Sequence, residues 1–469
     1  MNVSEKVNSI NVKQYNGGRA LMVAYYFPPL SGSGVFRSIK FAKYLSLFNW
    51  QPTVISTDRP HIDWNFSDKT QVAEIPQDVK VIRLHDNFNE ERIKGCSQER
   101  INSILNFFFN VIRDDEEAAK IFLKMVKTRE GFLQLLVFPC SALFWAHDVV
   151  NYISSNINIH EFDVVYTTSG PYSAHLIGYY LNKKYGIPWV ADYRDQWTDN
   201  AYPRYTDPNS ALYKLQFHLE KVLLHQATCN ITVVEEAVQM YVDHFDLPKE
   251  KIVSITNGYD EADFERYPIR LPQTRKFTIN YSGLLYVAGQ SIEPVLQALQ
   301  QLFAENAIDK NDVQFRIVGG SSIEINTALA RKYDLESIMV QVGYVSHQDA
   351  ILSNIDSNIL FLLIGDEEKH KIVYAGKFFD YLRSGKPILA IAPPGGVVDR
   401  VLKETGHGKV FIKAQIEDIK NMILEEYVKW KNNDFVDRLY SPEIKKFERK
   451  ILTGQLAQIF EKVTAPPPM

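Results

Sequence analysis

Cysteine is scarce in this 469-residue sequence: Cys96, Cys140 and Cys229 are odd in number, scattered and without close spacing. That pattern argues against a disulfide framework and a cysteine-based zinc site, and fits a reducing compartment. Long hydrophobic runs are missing too. The most apolar stretch, Phe132 to Ala146, is 15 residues long and carries Pro139, where a membrane-spanning helix needs about 20. The opening MNVSEKVNSINVKQYNGG has no apolar core of the kind a signal peptide needs, so the expected location is cytoplasmic. No one sign of charge dominates. The 52 Lys and Arg against 56 Asp and Glu leave a net of −4, and nothing asks for nucleic acid as a partner. With 23 Gly and 21 Pro, collagen-like and low-complexity chains are excluded. The 11 histidines form no H-E-x-x-H and no close His/Asp cluster, so no metal is expected. His218 and His225, on a leucine-rich helical pattern, read as core or surface positions.

What is present is an ordinary globular composition, 45% hydrophobic and 23% charged, in a chain too long for one core. Short aliphatic or β-branched runs alternate with longer helical patterns, the rhythm of βαβ units. Strands are expected at RALMVAYYF, QPTVIST, VKVIRL, DVVYTT, PWVADYR, NITVV and IVSIT, then at FTINYSG, VQFRIVGG, IMVQVG, NILFLLIG, PILAIAP and KVFIK. Their apolar residues lie side by side, as in strands buried on both faces. The expected fold class is α/β, two Rossmann-like doubly wound domains facing a cleft. We divide the chain into a frayed N-terminus (1–18), a first domain (19–262) with a helical insertion at about 92–158, a Pro-bearing linker (263–276), a second domain (277–436) and a final helix (437–464). That helix is expected to open at Ser441, Pro442 and Glu443.

In such domains the loops at the strands' carboxyl ends line the cleft. After the first strand, Gly32 and Gly34 let the backbone approach a ligand, or merely permit a tight turn. On the helix that follows, Arg37 has access to that loop, while Lys40, Lys43 and Tyr44 read as a solvated stripe. ADYRDQWTDN ends another strand with Asp192, Arg194 and Asp195. Charges there serve a site, pair with each other, or cap a helix. In the second half Gly283 ends a strand, and Gly343, Tyr344 and Val345 form a turn whose backbone suits the edge of a base. Lys371, Lys377, Gly395 and Gly396 suit a diphosphate, and the Asp380 carboxylate suits ribose hydroxyls.

YYFPPLSGSGVFRSIKFAKYL, GIPWVADYRDQW, TNGYDEADF, VGYVSHQD and GKFFDYLRSGKPILA together resemble glycosyltransferase family 4, in its bacterial branch of capsule, exopolysaccharide and lipopolysaccharide synthesis. The resemblance implies the GT-B fold, with the last helix crossing back onto the first domain. It implies transfer of a sugar from a nucleotide-sugar donor to a glycan or polyprenyl-linked acceptor, with retention and without a cofactor or metal. It also implies residue roles. Asp380 holds the ribose, Gly343 to Val345 the base, and Lys377 with Gly395 and Gly396 the diphosphate and sugar. Gly32, Gly34 and Arg37 line the donor phosphates or the acceptor, and Asp192 or Asp195 orients the acceptor. The chain departs from the family at Ile372, where a first glutamate is usual, at Leu284–Tyr286, where an arginine is usual, and at Arg194, where a histidine is usual. A nucleotide-sugar 2-epimerase and a non-catalytic nucleotide- or sugar-binding partner are the alternatives. Peripheral contact with the inner face of the cell membrane is a further expectation, with Phe107, Phe108 and Phe109 of the insertion as its candidate surface.

Overall fold

A computed structural model describes residues 17–58, 68–88, 95–265, 275–285, 291–320, 323–434 and 441–466. The N-terminal tail through Asn16, the linker at 266–274 and the last three residues lie outside the described residues.

All thirteen segments read as strands are strands. The first seven are β1 (Gly18–Val23), β2 (Trp50–Thr57), β3 (Lys80–Leu84), β4 (Val164–Thr168), β5 (Trp189–Tyr193), β6 (Cys229–Thr232) and β7 (Ile252–Ser254). They form a parallel sheet in the order β3-β2-β1-β4-β5-β6-β7. The other six, β8 (Phe277–Ser282), β9 (Val313–Val318), β10 (Met339–Gly343), β11 (Ile359–Leu363), β12 (Ile388–Ile391) and β13 (Gly408–Phe411), follow the order β10-β9-β8-β11-β12-β13. The central strands β4, β5 and β11 are buried along their whole length. Helices cover both faces, which is why their sequences show aliphatic runs and not alternation. Each sheet reverses direction once, between β1 and β4 and between β8 and β11. Crevices at such switch points are where doubly wound sheets bind ligands.

After α1 (Ser33–Tyr44), the insertion is four helices, α2 (Gln98–Ile112), α3 (Glu116–Val126), α4 (Arg129–Leu135) and α5 (Leu143–Asn156). Asp115 caps α3 by accepting from the Ala118 N–H at 2.9 Å, and its other oxygen lies 3.1 Å from His218 Nδ1. The phenylalanines offered above as a bilayer surface do not form one. Phe107 and Phe108 are buried in the core, and Phe109 packs on Phe122 with ring centres 5.0 Å apart. An amphipathic helix facing its own domain has spent its aromatic side chains on that packing. Among the described residues no helix is long and apolar enough to cross a membrane.

The C-terminal helix differs from expectation at its start. Pro442–Phe447 is a separate 3-10 turn, and the α-helix runs only over Arg449–Thr464. Glu448 between them is extended and bridged to Tyr259. The Tyr259 N–H donates to the Phe447 carbonyl at 3.1 Å, and its carbonyl accepts from the Arg449 N–H at 2.8 Å. Those two bonds replace helical ones. The helix then lies on the outer face of the first sheet, where Leu452, Leu456 and Phe460 join the core and Phe460 meets Trp50 edge to face at 5.1 Å.

Candidate functional site

Between the two sheets' carboxyl ends lies a cavity of about 530 Å³. Gly32, Gly34, Arg194 and Asp195 line it from the first domain; Gly283, Tyr344, Val345, Lys377 and Asp380 line it from the second. Asn257, Gly258 and Arg449 also line it, and form its floor.

Lys377 opens the helix Lys377–Arg383, and Asp380 follows one turn later on the same face. The Lys377 ammonium has no hydrogen-bond or ion-pair partner among the described residues; it lies over the Tyr281 ring, 3.8 Å from its centre. Burial pulls its pKa down to about 7, the expected response of an unpaired ammonium. Gly283 makes this position possible, since a Cβ there would stand 2.6 Å from the Lys377 nitrogen. Asp380 is engaged on one side by His347, whose Nε2 is 3.2 Å from Oδ2. His347 begins the helix His347–Ile355 of the second domain but docks on the first. Its ring packs on Phe36 at 4.2 Å, its Nδ1 is 3.8 Å from Asp263, and its N–H donates to Asp68. Burial alone would lower the pKa of this imidazole. Asp380 and Asp263 on its two sides outweigh that and hold it above the ordinary histidine value.

Across the cleft, one guanidinium joins three strand-end loops. Arg194 follows β5, donates to the Gly170 carbonyl after β4 at 3.3 Å, and lies over Gly34 after β1. A Cβ at Gly34 would stand 1.8 Å from Arg194 Nη1, so this glycine makes room for an arginine side chain. Asp195 is beside it, with Oδ2 3.5 Å from Arg194 Nε, and is mostly exposed. The loop that carries them is anchored from behind. Trp197 stacks on Tyr172 at 4.5 Å, the Tyr172 hydroxyl donates to the Gln196 carbonyl at 2.6 Å, and the Thr198 N–H donates to Glu220 at 2.9 Å. Burial pushes the Glu220 carboxyl up to about 8.

Several expected site residues stand elsewhere. Asp192 and Arg37 are fully buried and face each other: Arg37 Nε and Nη2 donate to the two carboxylate oxygens at 2.7 and 2.9 Å. Tyr166 and Thr168 also donate to Asp192, and Arg37 Nη1 donates to the Thr256 carbonyl at 2.9 Å. Neither residue lines the cleft. They form a saturated ion pair beneath it, joining the first helix (Ser33–Tyr44) to the end of β5. The supposed solvated stripe on that helix is likewise interior. Lys40 Nζ sits 2.7 Å from Asp260 and 2.8 Å from Asp263, beside Glu74, while Lys43 and Tyr44 bind Asp260. Glu74, Asp260 and Asp263 are the one set of carboxylates among the described residues close enough to hold a metal ion, and the Lys40 ammonium already stands among them.

In the second domain Lys371, which follows the 3-10 turn Glu368–His370, is half-exposed, pairs with Glu368 at 2.7 Å and does not line the cavity. Gly395 and Gly396 do not line the cleft either. The Gly395 N–H donates to Asp399 Oδ2 at 2.7 Å, an oxygen also held by Lys403, so the chain's own carboxylate occupies that amide. Gly343, at φ +83°, shapes the turn and accepts from the Gly319 N–H at 2.7 Å, without lining the cavity. Sequence reasoning missed His347, Asp263, Asn257 and Arg449. His347 lay within a segment already singled out, VGYVSHQD, and Arg449 within ERKI, but no local signal pointed either toward the cleft.

This arrangement defines the class: two parallel doubly wound domains meeting at a cleft, with the last helix returned to the first domain, are the GT-B glycosyltransferase fold. Residues 127–263 match the profile of Glycosyltransferase Family 4, within the part of the chain where the motif resemblance lay. Similar solved structures cover nearly the whole chain. A glycosyltransferase from Rickettsia africae superposes with a TM-score of 0.61 at 15% identity, over 96% of this chain and 99% of that one. HepE from Anabaena, determined in complex with UDP, gives 0.59 at 12% identity, over 95% and 100%. WaaG, a glycosyltransferase involved in lipopolysaccharide biosynthesis, gives 0.54 at 12% identity, over 94% and 99%. At these identities the likeness is one of fold. No curated protein matches the sequence.

Proposed function

We propose that this chain transfers a glycosyl group from a nucleotide sugar to a glycan or polyprenyl-linked acceptor in the synthesis of a bacterial surface polysaccharide, with retention and without a metal. The observation that carries the reading is Lys377: a partly buried ammonium without an anionic partner, one helical turn from Asp380, at the second sheet's switch point. A departing nucleoside diphosphate gains negative charge as the glycosidic bond breaks. A cation already in place, in a site of low polarity, stabilises that charge without reorganisation. Asp380 takes the ribose hydroxyls, with His347 orienting its carboxylate. The turn at Tyr344 and Val345 takes the base. HepE, of the same fold, was determined with UDP bound, which supports a nucleotide ligand.

On the opposite wall Arg194 and Asp195 face the acceptor. Asp195, not the buried Asp192, is the carboxylate placed to orient an acceptor hydroxyl. In a retaining transfer the leaving phosphate takes the acceptor's proton on the same face of the sugar, so Asp195 is not required as a base. Domain closure around the donor keeps water from the reacting carbon.

The test is a thermal-shift panel of UDP, GDP, ADP, CMP and dTDP in EDTA, followed by product analysis of the matching nucleotide sugar with and without lipid-linked acceptors. A ligand at about 100 times its Kd adds ~2.7 kcal/mol of stability. One clear responder and acceptor-dependent sugar transfer are expected. Conversion of the nucleotide sugar to its epimer with no acceptor present would establish the epimerase instead, and binding without turnover would establish a non-catalytic partner.

A further inference from the structure

The C-terminal helix carries a charged group into the cleft. Its interruption at Glu448 and the 2.8 Å bond from the Arg449 N–H to the Tyr259 carbonyl fix Arg449 on the floor of the cavity. Arg449 is only 4% exposed. Its side chain makes one hydrogen bond among the described residues, from Nη1 to Asn257 Oδ1 at 3.5 Å, and Arg37 Nη1 already approaches that oxygen at 3.4 Å. No carboxylate among the described residues pairs with it. Three buried cations nearby are each paired with a carboxylate: Arg37 with Asp192, Lys40 with Asp260 and Asp263, Arg383 with Glu261. A guanidinium has five N–H donors, and leaving them unmet in a buried position is costly. Its planar fork matches two oxygens of one phosphate. Burial, with Arg37 close by, has drawn its pKa down to about 10, so it remains cationic at neutral pH. The Asp380 carboxylate, on the opposite wall, offsets part of that lowering.

We propose that Arg449 is a phosphate-binding residue of the cleft: its guanidinium takes phosphate oxygens of the bound substrate, opposite the wall that carries Lys377. The C-terminal helix thus contributes to substrate binding as well as to the first domain's core. This rests on the nucleotide-sugar reading and deepens it. Two phosphates can come within reach, the donor's diphosphate and that of a polyprenyl-linked acceptor.

Calorimetric titration of the full chain and of Arg449→Gln and Arg449→Lys separates them. The probes are UDP, GDP, ADP and dTDP, their nucleosides, inorganic pyrophosphate and farnesyl diphosphate. For the nucleotide that binds the unaltered chain, Arg449→Gln is expected to weaken the diphosphate at least tenfold, about 1.4 kcal/mol. The matching nucleoside is expected to stay within twofold, which also reports an intact cleft, and Arg449→Lys to retain part of the affinity. Weakening confined to farnesyl diphosphate assigns the same chemistry to the acceptor. Equal loss for nucleoside and diphosphate, or no loss for any phosphate probe, overturns the proposal and leaves Arg449 a structural tie. Should pyrophosphate bind but no nucleotide, the nucleotide-sugar reading falls while pyrophosphate still decides on Arg449. If no phosphate probe binds the unaltered chain, both fall.

Discussion

Replacing Lys377 with methionine should stabilise the ligand-free protein and impair ligand binding. The ammonium is drawn from an ordinary 10.5 to about 7 by burial alone. At about 1.4 kcal/mol per pKa unit the full shift corresponds to a ceiling of roughly 5 kcal/mol. Contact with the Tyr281 ring and residual solvent lower the realised gain to about 1–3 kcal/mol. The sign follows from proton binding. Below about pH 7 the lysine is protonated in both folded and unfolded chains, and the whole cost of burying the charge is present. Between 7 and 10.5 the unfolded chain holds the proton and the folded one does not, so the cost shrinks. Above 10.5 both are neutral and the advantage of methionine is gone. Thermal unfolding of the two proteins at pH 6, 8 and 10 measures this. In the same pair, affinity for the nucleoside diphosphate should fall ten- to a hundredfold at pH 6.5, since hydrogen bonds to charged groups are worth about 1.5–3 kcal/mol. Opposite signs for stability and binding mark a residue kept for function. A methionine variant that is less stable than the parent at pH 6 and binds nucleotide equally well would refute the reasoning.

Gly34→Ala should displace Arg194, whose Nη1 would stand 1.8 Å from the new Cβ; kcat should drop at least tenfold while nucleotide affinity, measured calorimetrically, stays within threefold. Asp192→Asn strands the fully buried Arg37 and should cost about 3–5 kcal/mol in denaturant unfolding. Asp195→Asn, at an exposed carboxylate, should change stability by under about 0.5 kcal/mol and lower kcat/KM for the acceptor. The His347 contacts with Asp380 and Asp263 hold its pKa above the ordinary value, so their contribution to domain closure is full below pH 6.5 and is lost as pH rises through the folded value. Small-angle scattering should show the ligand-free cleft widening between pH 6 and 8.5, and His347→Gln should remove that pH dependence.

The strands were legible because a strand buried on both faces announces itself as an uninterrupted aliphatic run, as in NILFLLIG or DVVYTT. The strand ends therefore pointed to the right loops. Which side chain in a loop faces the cleft was not legible. Asp192 and Arg194 are two residues apart, yet Asp192 is still within β5 and buried against Arg37, 155 positions away, whereas the strand ends at Tyr193 and Arg194 belongs to the loop that lines the cavity. Gly34 suggested a phosphate contact, but its missing Cβ accommodates Arg194. The lysines after it looked like a surface stripe because Asp260 and Asp263, which bury Lys40, are over 200 residues distant. Arg449 depended on a helix break set by hydrogen bonds to Tyr259, for which SPEIKKFERKIL carries no local mark.

Acceptor-dependent release of nucleoside diphosphate is the most direct test of the account. The full chain, in EDTA, is given the labelled sugar donor of whichever nucleotide stabilises it, with and without polyprenyl-linked glycan acceptors. The account predicts labelled sugar on the acceptor, with an equal amount of nucleoside diphosphate released, and the loss of both in Lys377→Met. Consumption of the donor at the same rate without acceptor, or tight nucleotide binding with no transfer to any acceptor, would contradict it.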